Sequence, residues 1–265
     1  MLLITGSRGQ LGSELKKLLP DAIFTDKYEL DITDTEKVQK FIKIHNIDTI
    51  INCAAYTKVD KAEDEPEIAI KINAIGPENL SKSGAKIIHI STDYVFDGNG
   101  HTPYEPEDKT NPISVYGRSK LAGERAVLEN SDSAIIIRTA WLYSSYGANF
   151  VKTIAKIGAE KEKIRVVFDQ IGSPTYAADL AKCIVQLIPQ FKAGFKGIYH
   201  FTNEGVCSWY DFAEKIIKIL GLSCEVEAIS SREYPTKATR PFYSVLSKEK
   251  IKKDFGIKIR YWEEG

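Results

Sequence analysis

The sequence predicts an α/β fold: a doubly wound parallel sheet of Rossmann type with a smaller C-terminal substrate domain. Three observations predict it. Short β-branched apolar runs alternate with longer segments of helical period. A glycine-rich turn, Gly6-x-x-Gly9-x-x-Gly12, follows the first run and opens the first helical segment. A stretch dense in glycine and proline, Asp97 to Pro112, follows the fourth run, at the carboxyl edge where open α/β sheets present their ligands.

Taken in order, Leu2 to Thr5, Ala22 to Thr25, Thr49 to Cys53, Lys86 to Ser91 and Ala134 to Arg138 read as strands. The segments between them read as crossover helices, and crossovers of this length place helices on both faces of a parallel sheet. Thr33 and Glu36 have capping-box spacing and open a helix with Val38, Phe41 and Ile42 on one face, ended at Asn46 to Asp48. Beyond Ser144, Asn149 to Lys163, Tyr176 to Ile188 and Ser208 to Leu220 read as helices. Ile164 to Phe168 and Ile198 to Thr202 read as extended, and a basic, irregular tail closes the chain. The expected division is a nucleotide-binding domain at 1–145, with about 175–203 returning to it, and a substrate-binding domain from 146–174 and 204–265.

Composition removes several classes of function. Thirty-six Lys and Arg balance 36 Asp and Glu, and no block of five like charges occurs. Neither nucleic acid nor an anionic membrane is therefore an expected partner. The longest charge-free stretch, Thr139 to Val151, is too short to span a bilayer, and the first residues lack a basic, signal-like region. The expectation is a soluble, cytoplasmic protein. Cys53, Cys183, Cys207 and Cys224 form no C-x-x-C pair, and His45, His89, His101 and His200 are equally dispersed. No metal site is expected.

The chemistry-bearing residues follow the strands. In the first turn, Gly6, Gly9 and Gly12 allow a tight turn and close approach of a pyrophosphate, with Arg8, Gln10 and Leu11 around it and the helix N-terminus attracting the anion. Asp26 closes the second strand, where a carboxylate accepts from an adenosine ribose; Asp31 and Ile32 follow on the same edge, beside the adenine. Ala54, Ala55 and Tyr56 end the third strand, with small side chains that let a flat cofactor approach. Tyr116 and Lys120 lie one helical turn apart on one face. At an effective dielectric of about 20, a Lys cation some 4 to 5 Å from the phenol is worth roughly 3.5 to 4 kcal/mol, enough to lower a pKa of about 10 by nearly three units. Such a phenol is a general acid for carbonyl reduction, and the hydroxyls of the Ser91-Thr92 strand end are placed to hold the carbonyl oxygen.

These strings resemble the extended short-chain dehydrogenase/reductase family, and within it the reductases of dTDP-4-keto-6-deoxy sugars. The resemblance covers almost the whole chain. It rests on the glycine turn with Gln10 and Leu11, on Asn52-x-Ala54-Ala55-Tyr56-Thr57-x-Val59-Asp60-x-Ala62-Glu63, and on Ser91 to Gly98. It also rests on Val115-Tyr116-Gly117-x-x-Lys120-Leu121-Ala122-Gly123-Glu124, Arg138-Thr139-Ala140-Trp141, Asp169 to Thr175, and Arg240-Pro241. The resemblance implies that Thr92, Tyr116 and Lys120 are the catalytic trio, and that Thr57, Val59, Asp93, Tyr94 and Trp141 line the sugar site with Thr92 and Tyr116. It implies that the C-terminal part grips the nucleotide end, where Arg240 has the charge and fork geometry of a diphosphate partner. The implied reaction is reduction of the 4-keto group of dTDP-4-dehydro-6-deoxy-L-mannose by NADPH or NADH, in an enzyme that forms a possible homodimer.

Two other functions compete. A nucleotide-sugar epimerase or dehydratase shares the trio, but Thr92-Asp93-Tyr94 lacks the glutamate that usually follows a dehydratase's acid. A catalytically silent regulatory subunit of a methionine adenosyltransferase-type enzyme keeps the nucleotide fold, but has no need of all three catalytic positions.

Overall fold

Alternating side chains on five strands feed two cores at once. In the computed structural model, which describes residues 1–265, β1 (Leu2–Thr5), β2 (Ile23–Thr25), β3 (Thr49–Asn52), β4 (Lys86–Thr92) and β5 (Ala134–Thr139) run parallel in one sheet. Strand Lys196–His200 pairs parallel with β5 and completes six strands, in the order Lys196–His200, β5, β4, β3, β1, β2. Ile4, Ile51, Ile88, Ile135 and Ile137 face one core, while Leu3, Ile50, Ile87 and Ile136 face the other. A period of two on strands buried from both sides is what such β-branched runs require.

Helices α1 (Gln10–Leu18) and α2 (Thr35–Ile44) cover opposite faces: Leu11 and Leu15 enter the first core, Val38 and Ile42 the second. The cap of α2 differs from the capping box expected at Thr33. Asp34 is the cap and accepts from the Lys37 amide, while the Thr33 hydroxyl donates to Asp31. The β3–β4 crossover is not one helix. It divides into α3 (Val59–Ala62), α4 (Pro66–Ile70) and α5 (Gly76–Ser81), with a π-helical turn, Lys71–Ile75, between the last two. Helix α6 (Val115–Asn130) then returns the chain to β5.

The second half builds a smaller core. Helices α7 (Phe150–Glu160) and α9 (Trp209–Ile219) pack on a parallel pair, Lys163–Val167 with Glu225–Ile229, burying Ile154, Ile164, Phe212 and Ile216. Between them α8 (Ala177–Leu187) returns to the six-stranded sheet and buries Leu180 and Ile184 there. The expected irregular tail is instead a strand, Glu225–Ile229, and a helix, α10 (Glu249–Phe255). That strand is fixed by a partner some sixty positions earlier, beyond the reach of local pattern. Helix α10 sends Ile251 into the core of the six-stranded sheet, so the last segment is not wholly part of the second unit as the 204–265 boundary expects. No helix is long and apolar enough to cross a membrane.

Candidate active site

The carboxyl ends of β1, β3 and β4 meet where the strand order reverses, between β1 and β3. There Gly6 has a left-handed backbone (φ 66°), and a β-carbon on it would lie 2.6 Å from the Ala54 nitrogen. A β-carbon on Gly12 would lie 2.4 Å from the Gly6 carbonyl oxygen. Only glycine fits either position. Gly9 caps α1 without a side-chain bond, and the first turn of that helix has no acidic residue. Its leading amides are therefore free to receive an anion. Beneath the turn, Thr5 donates to Asn52 Oδ1 (2.6 Å), which also accepts from the Ala54 amide (3.2 Å), and Asn52 Nδ2 meets His89 Nδ1 (2.9 Å). Burial holds His89 well below its ordinary pKa, so it is neutral.

Thr92 and Tyr116 meet beside this cradle. The Thr92 hydroxyl caps the short turn Asp93–Val95 by accepting from the Tyr94 amide (3.2 Å), and it donates to Asp93 Oδ1 (2.9 Å). Tyr116, in the first turn of α6, is buried, with Thr92 close enough to its phenol to favour the ionised form. Ser114 caps the helix through the Gly117 amide, and Glu63 accepts from the Val115 amide (2.8 Å), which fixes where the helix starts. The floor of α6 is tied to β5 by a buried bidentate pair: Arg138 Nε donates to Glu124 Oε1 (2.9 Å) and Nη2 to Oε2 (2.8 Å). Removing one member of such a pair costs about 3–5 kcal/mol, because the other charge is stranded.

The electrostatics depart from the expectation at Lys120. Its Nζ donates to the Ile90 carbonyl (2.6 Å), and the charge that acts on it is that of Glu124. Burial pushes the Tyr116 phenol up rather than down, with Thr92 opposing, and Lys120 has no part in that shift. One-turn spacing brings two Cβ atoms together but leaves a long lysine stem free to reach the strand below. The Lys120 amine itself is lowered to about 8 by burial. Asp93 is also buried; burial raises its carboxyl to about 7, and Oδ2 has no hydrogen-bond partner.

The RmlD substrate binding domain family matches residues 1–265. The chain belongs to this family. The spore coat polysaccharide biosynthesis protein SpsK of Bacillus subtilis is 41% identical over 99% of this chain and 94% of its own. The dTDP-4-dehydrorhamnose reductase of Aggregatibacter actinomycetemcomitans is 42% identical over 99% and 95%. The solved structure of dTDP-4-dehydrorhamnose reductase from Bacillus anthracis, in complex with NADP, superposes with a TM-score of 0.95 at 44% identity, covering 99% of this chain and 95% of that one.

For a member of the RmlD family, the geometry distributes the expected residues unevenly. Gly6, Gly9, Gly12 and Ala54 lie together at the turn after β1, and Thr92 and Tyr116 lie together at the end of β4, with the Lys120 amine on the Ile90 carbonyl of the same strand. Val59 and Tyr94 pack with Tyr116 in a small apolar cluster, and the Tyr94 ring meets Tyr116 edge-on at 5.5 Å. Trp141 has an unusual left-handed backbone (φ 48°) and stacks on Trp209 at 3.6 Å. Asp26 accepts from the Lys27 and Arg8 amides, at the edge of the glycine turn.

Other expected residues are occupied elsewhere. The Ile32 side chain is buried in the core against Gly76, so it does not present itself to an adenine. Asp31 accepts from the Thr33 amide and hydroxyl, Tyr56 donates its hydroxyl to Glu65, and Leu11 is core. Gln10 turns toward the second half, donating to the Leu142 carbonyl and accepting from Asn149. Arg8 pairs with Glu29 (2.8 Å). Arg240, expected at a diphosphate, pairs with Asp60 (2.6 Å) and donates to the Tyr94 hydroxyl (3.2 Å). Asp60, Glu63 and Glu124 escaped a functional reading because their partners are distant in the chain; their only signal was the two strings that hold them.

Proposed function

We propose that the chain is a dTDP-4-dehydrorhamnose reductase, reducing the 4-keto group of dTDP-4-dehydro-6-deoxy-L-mannose with NADPH or NADH to give dTDP-L-rhamnose. The observation that carries this reading is the juxtaposition of buried Thr92 and Tyr116 near an anion-receiving glycine turn, in a chain of the RmlD family. The glycine cradle, whose space a single β-carbon would fill, and the uncapped start of α1 suit a dinucleotide pyrophosphate. When bound, a reduced nicotinamide supplies hydride to the carbonyl carbon.

The chain's own residues manage the oxygen. Thr92 donates a hydrogen bond to the carbonyl and orients it. Tyr116, kept protonated by burial, gives its proton to the oxygen as alkoxide charge develops. The resulting phenolate recovers its proton from water. Lys120, still largely cationic at neutral pH, holds the cofactor ribose and supplies positive charge to this end of the cleft. Val59, Asp93, Tyr94 and Trp141 enclose the sugar, with Thr57 exposed at the rim.

Mixing the protein with the dTDP-4-keto sugar and either NADPH or NADH should consume reduced-nicotinamide absorbance, and no turnover with either would sink the reading. Tyr116→Phe should keep cofactor affinity and lose roughly 10²-fold or more in kcat. Retention of most activity would remove Tyr116 as the acid.

A further inference from the structure

Asp60, in α3, uses its two carboxylate oxygens for two different bonds to a segment 178 and 180 residues away. Oδ1 accepts from the Ala238 amide (3.1 Å), and Oδ2 from Arg240 Nη2 (2.6 Å). Lys237 pairs with Asp64 beside it. Farther along, Pro241 lies against Gly98, and the Tyr243 amide donates to the Gly98 carbonyl (3.1 Å). The 237–243 segment is thus stretched across the cleft, fastened to α3 at one end and to the loop after β4 at the other.

The fastening reaches the reacting groups. Arg240 Nη1 donates to the Tyr94 hydroxyl (3.2 Å), and the Tyr94 ring stands edge-on to Tyr116 at 5.5 Å. A lone surface ion pair is worth little, about 0–1 kcal/mol. Here its value lies in geometry: one carboxylate fixes both a backbone amide and a guanidinium, and the planar guanidinium passes that constraint to a phenol. Resting on the reductase reading, we propose that Asp60 is a positioning residue, pinning the 237–241 segment and, through Arg240, setting the Tyr94 wall of the sugar site.

The constraint shapes a binding surface and leaves the proton donor in place, so its loss falls on KM rather than kcat. Asp60→Asn should raise KM for the sugar nucleotide about five- to tenfold, with kcat within about twofold and NADPH affinity unchanged. Arg240→Gln should do the same. The Asp60→Asn/Arg240→Gln double variant should be no worse than Arg240→Gln alone, since both act on one link. An unchanged KM, effects that multiply in the double variant, or a parallel loss of NADPH affinity would overturn the proposal. Hydrogen exchange reads the pin without substrate: Asp60→Ala should speed exchange of the Ala238 amide by about tenfold or more, and unchanged exchange also overturns it. A wild-type protein that turns over no substrate defeats the reductase reading alone, and the exchange measurement still decides the pin.

Discussion

The two banks of the cleft are built on different principles. The proposed cofactor bank is backbone: the left-handed Gly6, the close approach of Gly12 to the Gly6 carbonyl, and the free amides of α1 all lie within one short turn. The proposed sugar bank is side chain. Tyr94, Tyr116, Asp60 and Arg240 come from four separate segments and hold one another across as many as 180 positions of the chain. A backbone site tolerates no added atom, whereas a side-chain site loses function in increments as its links are cut one at a time.

The largest expected effect tests the first half of that contrast. Gly12→Val should lower NADPH affinity by about 100-fold or more, because the new atoms meet the Gly6 carbonyl and Ser7 Cα, and overpacking costs about 1–3 kcal/mol before any ligand arrives. Fluorescence titration with NADPH measures it, and near-normal affinity would break the comparison. Next is Asp93, buried beside Thr92. Its carboxyl titrates at about 7 in the folded chain and at about 3.9 unfolded, so the folded state holds the proton more tightly. Stability from this group is full below about pH 4 and is lost as pH rises through 7, by up to about 4 kcal/mol. Asp93→Asn should therefore gain stability over wild type in urea melts at pH 8 and gain little at pH 4; an equal gain at both pH values would mean the carboxyl is not held protonated. The smallest effect is at Asp26, which accepts from the Arg8 and Lys27 amides at the edge of the glycine turn. Wild type should use NADH and NADPH within about tenfold of each other, and Asp26→Ala should shift kcat/KM a few-fold toward NADPH by removing like-charge repulsion. An unmoved ratio would leave the cofactor bank with no selecting side chain at all.

The same contrast explains what could be read from residues alone. The glycine turn and the one-turn Tyr116–Lys120 spacing are local patterns, and both lie at the cleft. The strand order and both faces of the main sheet follow from β-branched runs at a period of two. What escaped was long-range. The Glu225–Ile229 strand is defined by Lys163–Val167, and Arg240 has a carboxylate partner where a diphosphate was expected. Lys120 shows the limit even of a local pattern: spacing fixes the Cβ atoms, but the terminal amine chose the Ile90 carbonyl. At α2, Thr33 had the right residue type for a cap, and Asp34 took the position because Thr33 was already bonded to Asp31.

The path of the chain between its two cores has a practical consequence. Ile137 belongs to the sheet core and Tyr143 to the smaller one; Leu180 to Phe201 go back, Cys207 to Val226 return, Ile251 and Ile257 go back again, and Trp262 ends in the smaller core. Neither core is encoded by a contiguous stretch, so no truncation yields one half as an expressible fragment. A protease that nicks a connection between Tyr143 and Ile251 leaves both pieces threaded through both cores, still associated until the whole molecule unfolds.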